Sequence, residues 1–467
     1  MKKEISIPRI MIAAPKSGSG KTIFTCCLLN LLNKEKREEE KVVAFKCGPD
    51  YIDPMFHRNV IGITSKNLDS FFSPDEEILD ILRSSKAHEA VLEGVMGIYD
   101  GIGRGSGYEI ASITQTPILL VMDGRGIWNT IISLVKGIVL DDVNGLIKGV
   151  VINRVSQKYY QTIAPLMNEM LKEIGSEART LGFIPESKDL NLESRHLGLK
   201  MPNEIEDLRK QVDGFSDLIR EHCSLEDIKR IMAEAKSIEE KPSGKGEMET
   251  PHQWPKEQEP ILAVARDEGF CFYYDENLRA LEEAGISIVE FSPIHEKKLP
   301  YGISGILLGG GYPELYLKEL EANKSMREDI AKAIESGMPS LAECGGFMYL
   351  LGSIVEKDSE VEMAGVIPGK AYNTGKLSRF GYVNITSATQ GLLEQGETIK
   401  GHEFHYYDSN NNGKDCMAKK PEADISWECI HNRRNLFWGY PHLYYSSNPS
   451  FIARFKEAMK EYMKING

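Results

Sequence analysis

Short apolar runs, each closed by glycine, proline or acidic turn residues and followed by a longer amphipathic stretch, recur through both halves of the chain. In the first half such runs predict strands over 9–14, 42–46, 90–93, 117–121, 149–152 and 181–184, with helical stretches such as 74–85 and 158–174 between them. Strand and helix in alternation predict a parallel sheet covered by helices, with chemistry at the C-terminal ends of the strands. A charged helical region over 224–240 leads into 241–259, rich in Pro, Gly, Lys and Glu and nearly free of apolar residues, which reads as a linker. The pattern restarts with strands over 260–265, 287–291, 305–308 and 340–342, and alternation over 381–385 and 401–407 predicts antiparallel strands at an edge of the second sheet. Two α/β domains are therefore expected, 1–240 and 260–467.

Composition narrows the function without naming it. At 467 residues, 41% apolar and 27% charged, the chain has the make-up of an ordinary globular protein. A net charge of −13 disfavours nucleic acid or an anionic membrane as a main partner. No run approaches the roughly 20 apolar residues of a membrane span, and Lys2-Lys3-Glu4 passes straight into a strand, so a cytoplasmic protein is expected. Eight cysteines without a Cys-x-x-Cys fit a reducing compartment and argue against a structural zinc site.

The first strand ends in Pro15-Lys16-Ser17-Gly18-Ser19-Gly20-Lys21-Thr22 and opens into a helix. Strand, glycine-rich loop and helix are the context of a phosphate-binding loop. Backbone N–H groups cradle phosphates, Lys21 neutralises the β and γ charges, and the Thr22 hydroxyl is left for Mg²⁺. Pro15 stands where the strict pattern has glycine, and Lys16 fits a variant whose extra lysine reaches a nucleotide, often across a dimer; a homodimer stays open. Carboxylates follow the next strands, Asp50 and Asp53 after the second, Glu93 and Asp100 after the third. Thr22 with Glu93 and Asp50 or Asp53 would supply hard oxygen ligands, against the commoner use of Asp beside Gly and Pro as a turn former. Tyr51, Arg154, Arg195 and His196 are weaker candidates for contact with an anionic substrate.

In the second half Ser340-Leu341-Ala342-Glu343-Cys344-Gly345-Gly346 reads as a strand, a turn that small residues allow, and an apolar helix from about Gly346. This is a nucleophile elbow in cysteine form. The turn exposes the sulfur at a helix N-terminus that favours thiolate and aims the Gly345 N–H at a developing oxyanion. The opposing reading is an inert buried thiol, the usual state of a free cysteine. Gly309-Gly310-Gly311 ends the strand over 305–308 and offers further amides, so Gly310, Gly311 and Gly345 are the candidate oxyanion hole. A thiolate needs a base; His402, His405, His431 and His442 follow Cys344, and His442 comes after a strand and turn able to deliver it. His402 and His405 lack a zinc-site spacing.

Taken together, 14–22, 48–54, 93–101, 195–199, 310–314, 343–346, 401–406 and 440–443 resemble, in order and separation, the cobyrinic acid a,c-diamide synthases, ATP- and glutamine-dependent amidotransferases of corrinoid biosynthesis. The resemblance covers nearly the whole chain. It implies a dethiobiotin-synthetase-like synthetase domain followed by a class I glutaminase domain, with Cys344 as nucleophile and His442 as base. Its small-molecule partners would be ATP, L-glutamine and cobyrinic acid or a related tetrapyrrole, with Mg²⁺ as cofactor. Most class I glutaminases carry an acid two residues after the histidine; here that position is Tyr444, and a dyad is implied to suffice. The resemblance also implies carboxylate activation as an acyl phosphate, ammonia from a thioester step at Cys344, and a dry passage between the two sites. Ni-sirohydrochlorin and hydrogenobyrinic acid remain alternative substrates. A partition- or septum-type switch ATPase shares the loop variant but has no use for Cys344 and His442.

Overall fold

The computed structural model describes residues 4–36, 40–101, 103–186, 202–239, 259–357 and 359–466. The chain divides into two compact units, Met1–Gly246 and Glu247–Gly467. The expected linker over 241–259 falls, apart from its last residue, outside the described residues.

The first unit is built on strands β1 (Arg9–Ala13), β2 (Val42–Cys47), β3 (Ser65–Leu68), β4 (Glu89–Glu93), β5 (Ile118–Asp123), β6 (Ile147–Asn153) and β7 (Arg179–Ile184). They form one sheet in the order β3-β2-β4-β1-β5-β6-β7, and every pairing is parallel. β1 shows why the strands read as unbroken apolar runs: Ile10 and Ile12 enter one core and Met11 and Ala13 the other, so both faces are covered. The helices that cover them include Lys21–Lys34, Asp75–Ser84 and Gln157–Glu173. The region over 224–240 is a helix only over Leu225–Ala233, and Ile238–Glu239 pairs as a short strand with Glu4–Ile5. β3 gave no apolar signal, since Ser-Lys-Asn-Leu holds a single apolar residue, although Ser65, Asn67 and Leu68 are all buried.

The second unit holds a six-stranded sheet in the order Ser287–Phe291, Ile261–Ala265, Gly305–Leu308, Ser340–Glu343, Leu436–Gly439, His431–Arg433, parallel except for the last strand. The antiparallel pair expected at its edge lies elsewhere. Arg379–Ser387 and Thr398–His405 belong to a separate five-stranded antiparallel sheet, completed by Ser426–Cys429, Cys416–Lys419 and His442–Tyr444. Pro441 gives the reason. It carries no N–H to continue a ladder, so the strand Leu436–Gly439 stops and the chain crosses to the other sheet as Tyr440-Pro441. The run over 401–407 likewise divides at Tyr406, with Tyr407–Ser409 entering a four-stranded sheet.

Candidate functional site

The loop after β1 is shaped by two left-handed glycines, Gly18 at φ 76° and Gly20 at φ 105°. A Cβ on Gly20 would also meet Asn153 Nδ2 at 2.2 Å, and that amide donates to the Ser19 carbonyl at 2.9 Å. β6 therefore braces the loop that β1 presents. No side chain caps the helix Lys21–Lys34, which leaves its first N–H groups for an anion. Lys21 Nζ donates to the Met96 carbonyl at 2.6 Å and the Lys16 carbonyl at 3.2 Å, and burial with the nearby Lys46 charge pulls its pKa down to about 8. Lys16, Ser17 and Gly18 are exposed at the loop tip. Arg154, at φ 61°, bonds the Gly18 carbonyl and pairs with Asp123 at 3.0 Å, so it too reaches the loop. Arg195 and His196 lie outside the described residues.

Thr22 Oγ1 donates to Glu93 Oε1 at 2.6 Å. The pair brings together the loop and the end of β4, as the sequence suggested. Between Glu93 and the turn after β2 stands Lys46, absent from the sequence-based candidates: its Nζ lies 2.8 Å from Glu93 Oε1, 2.5 Å from Asp53 Oδ2 and 3.7 Å from Asp50 Oδ2. A lysine in the buried strand Val-Val-Ala-Phe-Lys-Cys was the available signal, because such a charge needs partners. Burial pushes Glu93 up to about 7, Lys46 opposing, and Asp50 up to about 6, with Asp53 adding to the rise. For Asp53 burial acts upward too, but the Lys46 ammonium outweighs it and holds the group low.

Two of the acids also do local work. Asp50 Oδ1 accepts from the Ile52 and Asp53 amides at 2.8 and 3.2 Å, and Asp100 Oδ2 from Gly97 N–H at 2.7 Å. Both thereby shape the turns they stand in. Tyr51 is half-buried beside them.

In the second unit Cys344 has φ 48° and ψ −107°, a conformation that costs a non-glycine residue about 1–3 kcal/mol. Packing enforces it. Cys344 N–H donates to the Gly439 carbonyl and Gly346 N–H to the Gly309 carbonyl, each at 2.9 Å, while a Cβ on Gly346 would strike the Leu308 carbonyl at 2.1 Å. The helix after the elbow, Gly345–Leu350, is only six residues long. Burial, with Glu314 nearby, pushes the thiol pKa upward, and the Gly345 amide opposes the rise.

A Cβ placed on Gly345 would lie 3.2 Å from Gly311 N and 2.8 Å from the Pro313 ring, so the turn after Gly305–Leu308 packs directly against the elbow. The Gly310 carbonyl accepts from Cys271 and Phe272, and its missing side chain leaves room for the His442 ring, 2.3 Å from where a Cβ would stand. His442 is buried at the start of the strand that pairs with Thr398–His405, directly across from His402. Burial, with His405 adding to it, pulls its pKa down to about 3, so the ring stands neutral. Nδ1 of His442 lies 3.8 Å from Glu343 Oε2. His405 Nε2 meets Glu403 Oε2 at 2.8 Å and stacks on Tyr440 at 4.2 Å, a buried group apart from any metal spacing. Among the described residues no cluster of three or more His, Cys, Asp or Glu could hold a metal ion.

Family models divide the chain as the fold does. Residues 10–199 match the CobQ/CobB/MinD/ParA nucleotide binding domain and residues 261–450 the CobB/CobQ-like glutamine amidotransferase domain. The cobyrinate a,c-diamide synthase of Thermoplasma volcanium is 37% identical over 478 residues, covering 98% of this chain and 99% of that protein. That of Caldanaerobacter subterraneus is 35% identical over 454 residues, covering 95% and 97%. This chain belongs to the cobyrinate a,c-diamide synthase family. It is a glutamine-dependent amidotransferase ligase with a nucleotide-binding α/β domain followed by a glutaminase-type α/β domain. No helix among the described residues is long and apolar enough to cross a membrane.

Proposed function

We propose that this enzyme amidates the a and c acetate carboxylates of cobyrinic acid, using ATP to activate each carboxylate and glutamine to supply the nitrogen. In the first unit the carboxylate takes the γ-phosphoryl group, giving an acyl phosphate and ADP; ammonia then attacks the carbonyl carbon and phosphate leaves. Lys21 and the unpartnered helix amides hold the phosphates, and Lys46 is placed to meet charge developing beside Glu93. Thr22 and Glu93 fit a hard divalent cation, since Glu93 Oε2 is buried with no hydrogen-bond partner. Asp50 or Asp53 would complete the set. Mg²⁺ there would neutralise the β and γ phosphates.

In the second unit the Cys344 proton passes to His442 as sulfur attacks the glutamine amide carbon. The oxyanion is met by the Gly311 and Gly345 amides, and His442 returns the proton to the departing ammonia. Water then cleaves the thioester to glutamate and thiol. The observation that carries this reading is the backbone at Cys344, held strained at φ 48° with the Gly309–Gly311 turn packed against it. Incubation of the enzyme with ATP, glutamine and, separately, cobyrinic acid, hydrogenobyrinic acid or Ni-sirohydrochlorin tests the substrate. Doubly amidated cobyrinic acid by mass spectrometry is the expected product; preference for another macrocycle would reassign the substrate, and amidation of none would end the reading.

A further inference from the structure

The position two residues beyond His442 is Tyr444, which cannot supply a carboxylate to the imidazole. A carboxylate reaches it from another strand. Glu343, the last residue of Ser340–Glu343, places Oε2 3.8 Å from His442 Nδ1, and both side chains are buried, at 9% and 4% exposure. Its other oxygen, Oε1, accepts from the Tyr445 hydroxyl at 2.8 Å, so the carboxyl is held by a group that is itself buried.

Strand alternation separates the neighbours. Ala342 and Cys344 pack into one core, and Leu341 into the other with Leu443 and Tyr445. Glu343 therefore approaches the His442 ring from the Leu341 side while the thiol stands on the Ala342 side. At 3.8 Å, beyond hydrogen-bond length, a carboxylate acts on Nδ1 through its charge and favours the tautomer with the proton there, which leaves Nε2 as the proton acceptor.

We propose that Glu343 is the positioning carboxylate of His442, filling from the residue before the nucleophile the role that the position of Tyr444 leaves empty. The proposal rests on the assignment of Cys344 and His442 as the glutaminase pair. Glu343 exchanges no proton with substrate; it orients the ring and offsets the charge His442 gains when it takes the Cys344 proton. The other titratable groups against this pair are His402 and His405 beside His442 and Tyr273 and Tyr445 beside Glu343. Burial pushes the Glu343 carboxyl up to about 8, so its ionised form grows in above neutrality.

The test is glutamate release from glutamine by the full chain, followed as kcat and KM across a pH range spanning 8. Wild-type kcat should rise through pH about 8. Glu343→Gln, which keeps the size of the side chain and an oxygen for Tyr445, should lower kcat about tenfold or more, leave KM for glutamine within about twofold, and lose that rise. Glu343→Asp should restore part of kcat and the rise with it. A Glu343→Gln enzyme with wild-type kcat and an unaltered profile would overturn the proposal. If that variant does not fold, Glu343→Asp decides alone: unchanged kcat and profile overturn, a lower kcat with a shifted limb supports. Cys344→Ser is run beside them. Residual glutamine hydrolysis there would refute the pair on which the proposal rests, whereas an inert Cys344→Ser with a wild-type-like Glu343→Gln refutes only the role of Glu343.

Discussion

Lys46 Nζ donates to Glu93 Oε1 across 2.8 Å, and both side chains are buried. The lysine compensates acids from two strand ends, so its removal leaves charge in the interior without a partner. Breaking a buried pair in this way costs about 3–5 kcal/mol. Lys46→Met should therefore lower the unfolding free energy of the first unit in urea by that order, with a lower midpoint, and abolish amidation with either nitrogen donor. An unchanged midpoint together with full activity would show that the contact is idle.

Glu93 makes stability depend on pH. Its folded pKa is raised, to about 7, so between its unfolded value of about 4.5 and 7 the native state holds a proton that the unfolded chain has lost. The Glu93 contribution is fully present below about 4.5 and is lost as pH rises through about 7. Denaturant unfolding across that window should show the wild type losing stability with pH more steeply than Glu93→Gln; equal slopes would place the proton elsewhere.

The two chemistries should separate by mutation. Cys344→Ala or Cys344→Ser is expected to stop glutamine-dependent amidation and leave amidation from ammonium salts, since Cys344, the proposed nucleophile, lies in the second unit. Asp50→Asn, Asp53→Asn and Glu93→Gln should reduce amidation sharply with both donors while glutamine hydrolysis persists. Asp100→Asn joins them if its carboxylate does more than hold the Gly97 amide. Loss of ammonium-dependent activity in a folded Cys344→Ala enzyme would contradict the separation.

His442→Ala should slow glutamine hydrolysis by about 10²-fold or more, the usual contribution of a general base. His402→Ala and His405→Ala should have smaller effects, because each is engaged with neighbours of its own sheet. Steady-state glutamate release ranks the three; a wild-type rate in His442→Ala would move the base.

Gly310→Ala offers a test that replaces neither Cys344 nor His442. The added methyl would stand 2.3 Å from His442 Cε1, so the ring must shift. A displacement of about 1 Å in a reacting group can cost about 10²-fold in rate. Glutamine hydrolysis should fall by that order with the melting temperature little changed, and an unaffected kcat would mean that the ring has room to spare.

Some of this was legible in the residues and some was not, for physical reasons. Gly20 must adopt φ 105°, and the residues after Cys344 must lack side chains for the elbow to close, so those constraints leave a mark in composition. Lys46 and Glu343 leave a weaker one. Each is a single charge at the end of a strand, and which atoms it meets depends on strands distant in sequence, β4 for Lys46 and His442–Tyr444 for Glu343. The alternation over 381–385 and 401–407 marked two antiparallel strands, but period alone does not say which sheet they join.

Pro441 has a consequence for how the glutaminase half can be governed. Cys344 is fixed to the parallel sheet through the Gly439 carbonyl, whereas His442, three residues past that carbonyl, is the first rung of the antiparallel one. Cys344 and His442, the proposed nucleophile and base, thus ride on separate plates, which the chain joins through Tyr440 and Pro441 and, closer still, through Ile430. A slip of one plate against the other by a fraction of a side chain would uncouple them with every catalytic residue intact, as a clutch disengages two sound gears.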